Sequence, residues 1–268
     1  MIALFALTVA AQDLAELDAV PWRPRAAGSS LVTVLPEQLD GWRAGVVADH
    51  ARGSLLFEYQ DGSEAAVIRQ LHTTWFAAER GIGPVVLGAT LPVHVWRAGD
   101  LDDPLVLAAG DPSLEAAVAA PLGPVDLGFA SQLAIPTGAS SRQLGQPGWS
   151  ADLLGLAGWS GDAFGVAANL GLRVNPRLED PSVTVDDELL ARGRVELELG
   201  PGTLGGELVS VVGLTEAAGE ATTEGLLTWG QGLGDWHVQG AVGGGLLTAG
   251  IGAPTWRALV RVSREAVE

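Results

Sequence analysis

Leu189-Leu190-Ala191-Arg192-Gly193-Arg194-Val195-Glu196-Leu197-Glu198-Leu199 is the stretch that decides the fold. Leu189, Ala191, Gly193, Val195, Leu197 and Leu199 are apolar or small, and the residues between them are Leu190, Arg192, Arg194, Glu196 and Glu198. Side chains on a strand alternate between two faces, so this run has one apolar face and one mostly charged face. A helix would spread the same charges around its circumference. Gly200-Pro201-Gly202 breaks the run, and a second alternation follows through Leu204, Gly206, Leu208, Ser210, Val212 and Leu214. The two runs read as a hairpin of long strands joined by a tight turn.

The same pattern recurs along the chain. Alternation predicts strands at about 41–51, 65–78, 82–97, 111–121, 124–136, 148–160, 163–174, 187–199, 202–214, 222–231, 234–247 and 255–263. Their apolar faces carry Leu, Val and Trp, and the opposite faces carry Arg, Glu, Gln, Asn and His. A soluble sandwich would need one core for all those apolar faces. A barrel in a bilayer turns them outward and keeps the polar faces inside. The connections alternate too. Arg52–Glu64, Ala98–Gly110, Thr137–Pro147 and Asn175–Asp186 are long, whereas Glu79–Gly81, Leu122–Gly123, Gly161–Asp162 and Gly200–Pro201 are short. Short periplasmic turns and long outer loops are the habit of outer-membrane barrels. An even strand count then puts both termini in the periplasm.

The tryptophans sort in the same way. Trp42, Trp75, Trp159, Trp229 and Trp236 fall beside short turns, and Trp96, Trp149 and Trp256 fall beside long loops. These eight read as two interfacial girdles, where an indole keeps its ring in an apolar layer and its N–H in water. The predicted fold is an all-β, antiparallel, up-and-down transmembrane barrel of about twelve strands over 41–263. Closure leaves no unpaired strand edge in hydrocarbon.

Composition is consistent with this and excludes other classes. Every basic residue is arginine, and the formal charge of -17 argues against a nucleic-acid partner, which needs a basic footprint. The chain has 37 glycines and no cysteine, so there is neither disulfide nor thiolate metal site. Residues 1–11 read as a signal peptide with a Val-Ala-Ala cleavage site, although a basic start is missing. Residues 12–40 read as a proline-containing periplasmic lead-in that folds under or into the barrel, and 264–268 as a short tail.

The inward positions predicted as pore-lining are Arg43, Asp49, His72, His94, Glu115, Asp126, Asp152, Arg173, Arg192, Arg194, Glu196, Glu198, Glu207, Glu224, His237, Arg257 and Arg261. Such a mixed-charge lumen either conducts and selects ions or closes by internal pairing. If the last strand closes on the first, Arg257 and Arg261 approach Arg43 and Asp49. His72, His94 and His237 lie on separate strands and do not assemble the three or four ligands that a zinc site needs. Asp100, Asp102 and Asp103, then Glu179, Asp180, Asp186 and Asp187, then Glu216 and Glu220 make the outer loops acidic, which suits either solvation or divalent ions. Walker, Gly-x-Ser-x-Gly and His-Glu-x-x-His motifs are missing, and outward His50 lies far from Ser131 and Ser210, so no enzyme and no cofactor are expected.

Several strand-end motifs resemble the barrel portion of large OmpA-family outer-membrane proteins. They are Trp22-Arg23-Pro24 leading to Gly28-Ser29-Ser30-Leu31-Val32-Thr33-Val34, Leu91-Pro92-Val93-His94-Val95-Trp96, Leu133-Ala134-Ile135-Pro136-Thr137-Gly138, Asp187-Glu188-Leu189 and Gly252-Ala253-Pro254-Thr255-Trp256-Arg257. The similarity covers about residues 20–263 and implies architecture more than chemistry. Relatives of this kind often carry a peptidoglycan-binding domain after the barrel; the sequence stops at Glu268, so that function is not carried over. The sequence-level reading is a Gram-negative outer-membrane channel for small polar solutes or ions with a weak cation preference. Its partners are outer-membrane lipid, lipopolysaccharide and the barrel assembly machinery. The competing reading is a closed barrel acting as anchor or scaffold, and a soluble β-rich binding protein stands behind both.

Overall fold

The computed structural model describes residues 31, 33–35, 39–58, 64–100, 104–138, 144–146, 148–176, 178–179, 184–185, 187–214, 221–248 and 254–266. The signal-peptide reading and most of the lead-in lie outside the described residues. In chain order the strands are β1 (Trp42–Glu58), β2 (Glu64–Ile82), β3 (Val85–Ala98), β4 (Leu105–Ala109), β5 (Ser113–Leu122), β6 (Val125–Ala134), β7 (Ser150–Ser160) and β8 (Phe164–Val174). They continue with β9 (Leu178–Glu179), β10 (Thr184–Val185), β11 (Glu188–Leu199), β12 (Gly202–Gly213), β13 (Ala221–Leu233), β14 (Trp236–Thr248) and β15 (Trp256–Ala266).

Thirteen of these form one closed antiparallel barrel of twelve wall strands, with β4 and β5 sharing one position. Each wall strand pairs with its sequence neighbour, and the ring closes where β1 lies against β15 in a register running from Trp42↔Ala266 to Arg52↔Trp256. No helix among the described residues is long and apolar enough to cross a membrane. Strands β9 and β10 form a small separate ribbon within the long connection from β8 to β11.

The tight turns share a chemical cause. Gly83, Gly123, Gly200 and Gly234 stand at φ of 59°, 67°, 64° and 63°. They are followed by Pro84, Pro124, Pro201 and Asp235. A two-residue hairpin matched to the strand twist needs a left-handed residue, and glycine takes that conformation without a Cβ clash. The first short turn is therefore Gly83-Pro84, because β2 continues to Ile82 instead of ending near Ala78.

The fourth wall strand is broken in two. β3 pairs with β5 through Thr90↔Ser113 and with β4 from Val93↔Ala109. Pro92 has no N–H to donate, so the ladder lapses there, and Gly110 donates to the Pro92 carbonyl at 3.0 Å. Part of the connection read as a long loop (98–110) is thus wall. On its other side β3 slips register between His94 and Trp96, which leaves Val95 as a bulge. A bulge shifts the facing of the residues beyond it, so Arg97 turns inward and is 1% exposed.

Candidate permeation pathway

Burial separates the two faces of the wall. Phe129, Leu153, Leu170, Leu227, Val242 and Val260 are exposed apolar side chains on the outside, whereas Asp152, Arg173, Arg192, Arg194, Glu207, Glu224, Arg257 and Arg261 are buried charged ones within. Trp42, Trp96, Trp149, Trp229, Trp236 and Trp256 are exposed at the strand ends, and half-buried Trp159 packs on Phe164 with ring centroids 5.1 Å apart. Apolar-out and polar-in with aromatic ends is the surface of a barrel that sits in lipid.

Two predicted positions change sides. Trp75 belongs to no girdle: it is 2% exposed and fills the lumen. Its neighbour Phe76 faces out at 45% exposure. Placing Trp75 inside reverses the facing of β2, so His72 lies on the outer wall and not in the pore. There it meets its cross-strand partner His50, Nδ1 to Nδ1 at 3.2 Å.

The remaining predicted pore-lining residues lie on the inward face. Arg43, Asp49, His94, Asp152, Arg173, Arg192, Arg194, Glu207, Glu224, Arg257 and Arg261 are buried there. Glu115, Asp126, Glu196 and His237 are half-buried, and Glu198 is exposed at the short-turn rim. Alternation missed Glu79 and Arg97 because of the facing error on β2 and the bulge on β3. It also passed over Gln239, and Asp111 at the head of β5.

The inward charges form clusters. Arg173 holds Asp152 through Nε–Oδ1 at 2.7 Å and Nη2–Oδ2 at 3.0 Å, and Arg192 reaches the same carboxylate at 3.3 Å. Arg173 also contacts Glu188 at 3.3 Å. Along the wall of β1, β15 and β13, Arg257 bridges Asp49 at 3.5 Å and Glu224 at 3.4 Å. Barrel closure brings these together, because Arg257 is opposite Ala51 on β1, one inward position beyond Asp49. Arg194 pairs with Glu196, and Arg43 reaches Glu265 at 3.4 Å near the short-turn end. Paired charges of this kind tolerate burial that either partner alone would not.

The lumen also contains a piece of the chain itself. The backbone N–H groups of Leu31 and Thr33 donate to the two carboxylate oxygens of Glu207, both at 3.0 Å. One carboxylate thus accepts from two backbone N–H groups two residues apart. Val34 donates to Asn169 Oδ1 at 2.8 Å, and Asn169 Nδ2 donates back to the Val34 carbonyl at 2.8 Å. The Val34 side chain packs with Ala130, Leu154, Leu156, Leu190 and Val211, inward residues of β6, β7, β11 and β12. Leu39 lies beside Gly81 at the short-turn end, where a Cβ added to Gly81 would stand 1.7 Å from the Leu39 carbonyl oxygen. A cavity of about 150 Å³ lies between Leu35 and this end, lined in part by Asp126, Arg194 and Glu196.

At the long-loop end a second element turns inward. Buried Asp111 accepts from the backbone N–H groups of Thr137 at 2.9 Å and Gly138 at 2.7 Å through Oδ1, and of Gln146 at 2.6 Å through Oδ2. Leu144 is 2% exposed, and inward His94 packs against Gly110, where a Cβ would come within 2.5 Å of Nε2. The ends of the β6–β7 connection are therefore folded against the upper lumen wall. No group of three or more metal-ligating side chains exists among the described residues.

No family model matches the sequence, and no curated protein matches it. Solved structures do. The crystal structure of an outer membrane channel from Pseudomonas putida F1 superposes with a TM-score of 0.68 at 17% identity, covering 85% of this chain and 96% of that one. The NanC porin superposes with a TM-score of 0.57 at 10% identity, covering 83% of this chain and 98% of that one. An active-site mutant of outer membrane phospholipase A from Escherichia coli aligns at a TM-score of 0.41 and 11% identity, over 98% and 99% of the two chains. The barrel architecture is thus one that outer-membrane proteins use.

Proposed function

We propose that this chain is an outer-membrane channel for small polar or ionic solutes whose lumen is narrowed by its own N-terminal segment. One observation carries the reading. Beside β6–β12, in addition to the Asp152–Arg173–Arg192 cluster, the lumen holds a length of chain attached through Glu207 and Asn169. A barrel of twelve strands is wider than the eight-stranded kind that side chains fill completely. Its neighbours in architecture, an outer membrane channel and a porin, support the reading.

The same proposal places the protein in the outer membrane of a Gram-negative bacterium, delivered by the barrel assembly machinery. The short turns and termini are periplasmic, and the long loops face lipopolysaccharide. It includes kinship with OmpA-family barrels, supported by the strand-end motifs, and it assigns neither catalysis nor a cofactor. The acid excess of the chain gives the pathway a weak cation preference.

The closed-scaffold reading has one observation in its favour, the complete burial of Arg257, Arg261, Leu190 and Leu259 inside the barrel. Single-channel recording of refolded protein in a planar bilayer under a KCl gradient separates the two. Stable steps with a cation-selective reversal potential support the channel. A barrel that inserts and never conducts, with Glu207 and Asn169 intact or substituted, leaves the scaffold.

A further inference from the structure

The lipid-facing wall of β1, β2 and β15 is apolar or small through Ala44, Val46, Ala48, Phe76, Ala78, Ala258, Val260 and Val262. It is interrupted toward the long-loop end. His50 faces His72 across β1 and β2, and one outward step further along, Arg52 faces Gln70. These four side chains form a two-by-two polar block. Trp256 flanks it on β15 as the partner of Arg52, and Trp96 flanks it on β3 as the partner of His72. The ring of His50 lies 4.1 Å from that of His72 and 4.7 Å from that of Trp256.

The depth of this block is what needs explaining. His50 pairs with Ala258, two residues from Trp256 toward the middle of the wall, and His72 stands opposite Trp96, so the histidines lie at the inner edge of the girdle. Polar groups on the lipid face are disfavoured unless something satisfies them. The two imidazoles satisfy one nitrogen each through their Nδ1 contact. Whichever ring donates, the acceptor ring keeps its proton on Nε2. Exposed Arg52 adds a permanent cation with five donors on the same face.

We infer that Arg52, His50, His72 and Gln70 form a binding site for the phosphate of a membrane lipid headgroup, with Trp256 and Trp96 bracketing the lipid on either side. A phosphate takes charge-assisted hydrogen bonds from the guanidinium and from the imidazole N–H, and its acyl chains continue down the apolar wall below. The block sits where a headgroup phosphate meets the acyl region, because the tryptophans mark that level. The site rests on the lipid-facing reading of the wall and is independent of whether the lumen conducts.

The test uses refolded full-length protein in micelles of an uncharged detergent, with bound lipid counted by native mass spectrometry. The probes are a phosphatidic acid, the diacylglycerol with the same chains, and inorganic phosphate as competitor. The wild type retains phosphatidic acid at least about tenfold more tightly than diacylglycerol. Arg52→Gln and the double variant His50→Phe/His72→Phe each weaken phosphatidic acid about tenfold and keep heat-modifiable migration, while Arg264→Gln at the opposite rim changes nothing. Equal retention of the two lipids, or unchanged affinity in both variants, overturns the site. Inorganic phosphate displacing the lipid at equal affinity overturns the lipid as its source. A protein that stays in solution without detergent would end the lipid-facing reading instead.

Discussion

Glu207→Ala is the most informative single change. The carboxylate is 3% exposed and accepts from Leu31 and Thr33 at 3.0 Å each. A hydrogen bond to a charged group is worth about 1.5–3 kcal/mol, and two sharing one carboxylate do not add fully, so about 3 kcal/mol is a fair figure for the pair. That shifts the balance between seated and released segment by about 150-fold. Glu207→Gln keeps one acceptor and turns an NH2 toward the other donor, so it falls between wild type and alanine. The assay is open probability and conductance in planar bilayers, ordered alanine above glutamine above wild type. Removing an acid also alters selectivity, so Glu115→Gln, an inward acid on β5, serves as the charge control and leaves open probability unchanged. Equal open probability for Glu207→Ala and wild type refutes the segment as the limiting obstruction, and an equal rise in Glu115→Gln refutes Glu207 as its anchor.

Other consequences follow from particular contacts. Val260→Arg puts a cation on the outer face near mid-wall and costs about 2–4 kcal/mol of folding in lipid, measured by urea titration in vesicles; a soluble barrel would show almost no loss. Arg257→Ala strands Asp49 and Glu224 together in the lumen and costs about 3–5 kcal/mol, read in the same titration, whereas exposed Arg264 at the rim is replaceable without measurable loss. Asp111→Ala takes the acceptor from three backbone N–H groups and frees the β6–β7 connection; limited proteolysis between Thr137 and Gln146 accelerates, while the barrel stays heat-modifiable. Gly81→Ala cannot be built without moving the Leu39 backbone, so it lowers protection of the Leu31 and Thr33 amides in hydrogen exchange.

The barrel was legible because its signal repeats. Each strand alternates weakly, but Leu189–Leu199 and its neighbours alternate in the same sense, and Gly-Pro pairs mark turn after turn. Side-chain facing was legible wherever alternation is strict, as on β8 and β11. It failed on β2, where Trp75 is assigned to an interface by its residue type although the lumen can bury an indole equally well. Phe76 beside it carried the opposite signal. Facing also failed at Arg97, since a bulge leaves no mark in an apolar–polar pattern. The interior contacts of Thr33 and Val34 could not be read at all. A segment in a lumen takes its backbone partners from Glu207 and Asn169, which are more than a hundred residues away and show no local pattern.

The contents of the lumen explain why a segment of chain is seated on one side only. Against β1, β2, β3 and β15 the inward residues are large: Trp75, Arg97, Arg257 and Arg261 are each 2% exposed or less and reach far into the barrel. On β6, β8 and β12 the inward residues include Gly128, Ala130, Gly165, Ala167 and Gly205, which leave backbone-width space. Val34 fills that space, with Leu154, Leu156 and Leu190 giving it an apolar seat, while Asn169 and Glu207 supply the hydrogen bonds an inserted backbone requires. Residues 31 and 33–35 thus occupy the space these small residues leave, next to the Asp152–Arg173–Arg192 cluster, so the proposed release of the segment widens the lumen there while the clusters of Arg173 and Arg257 stay packed.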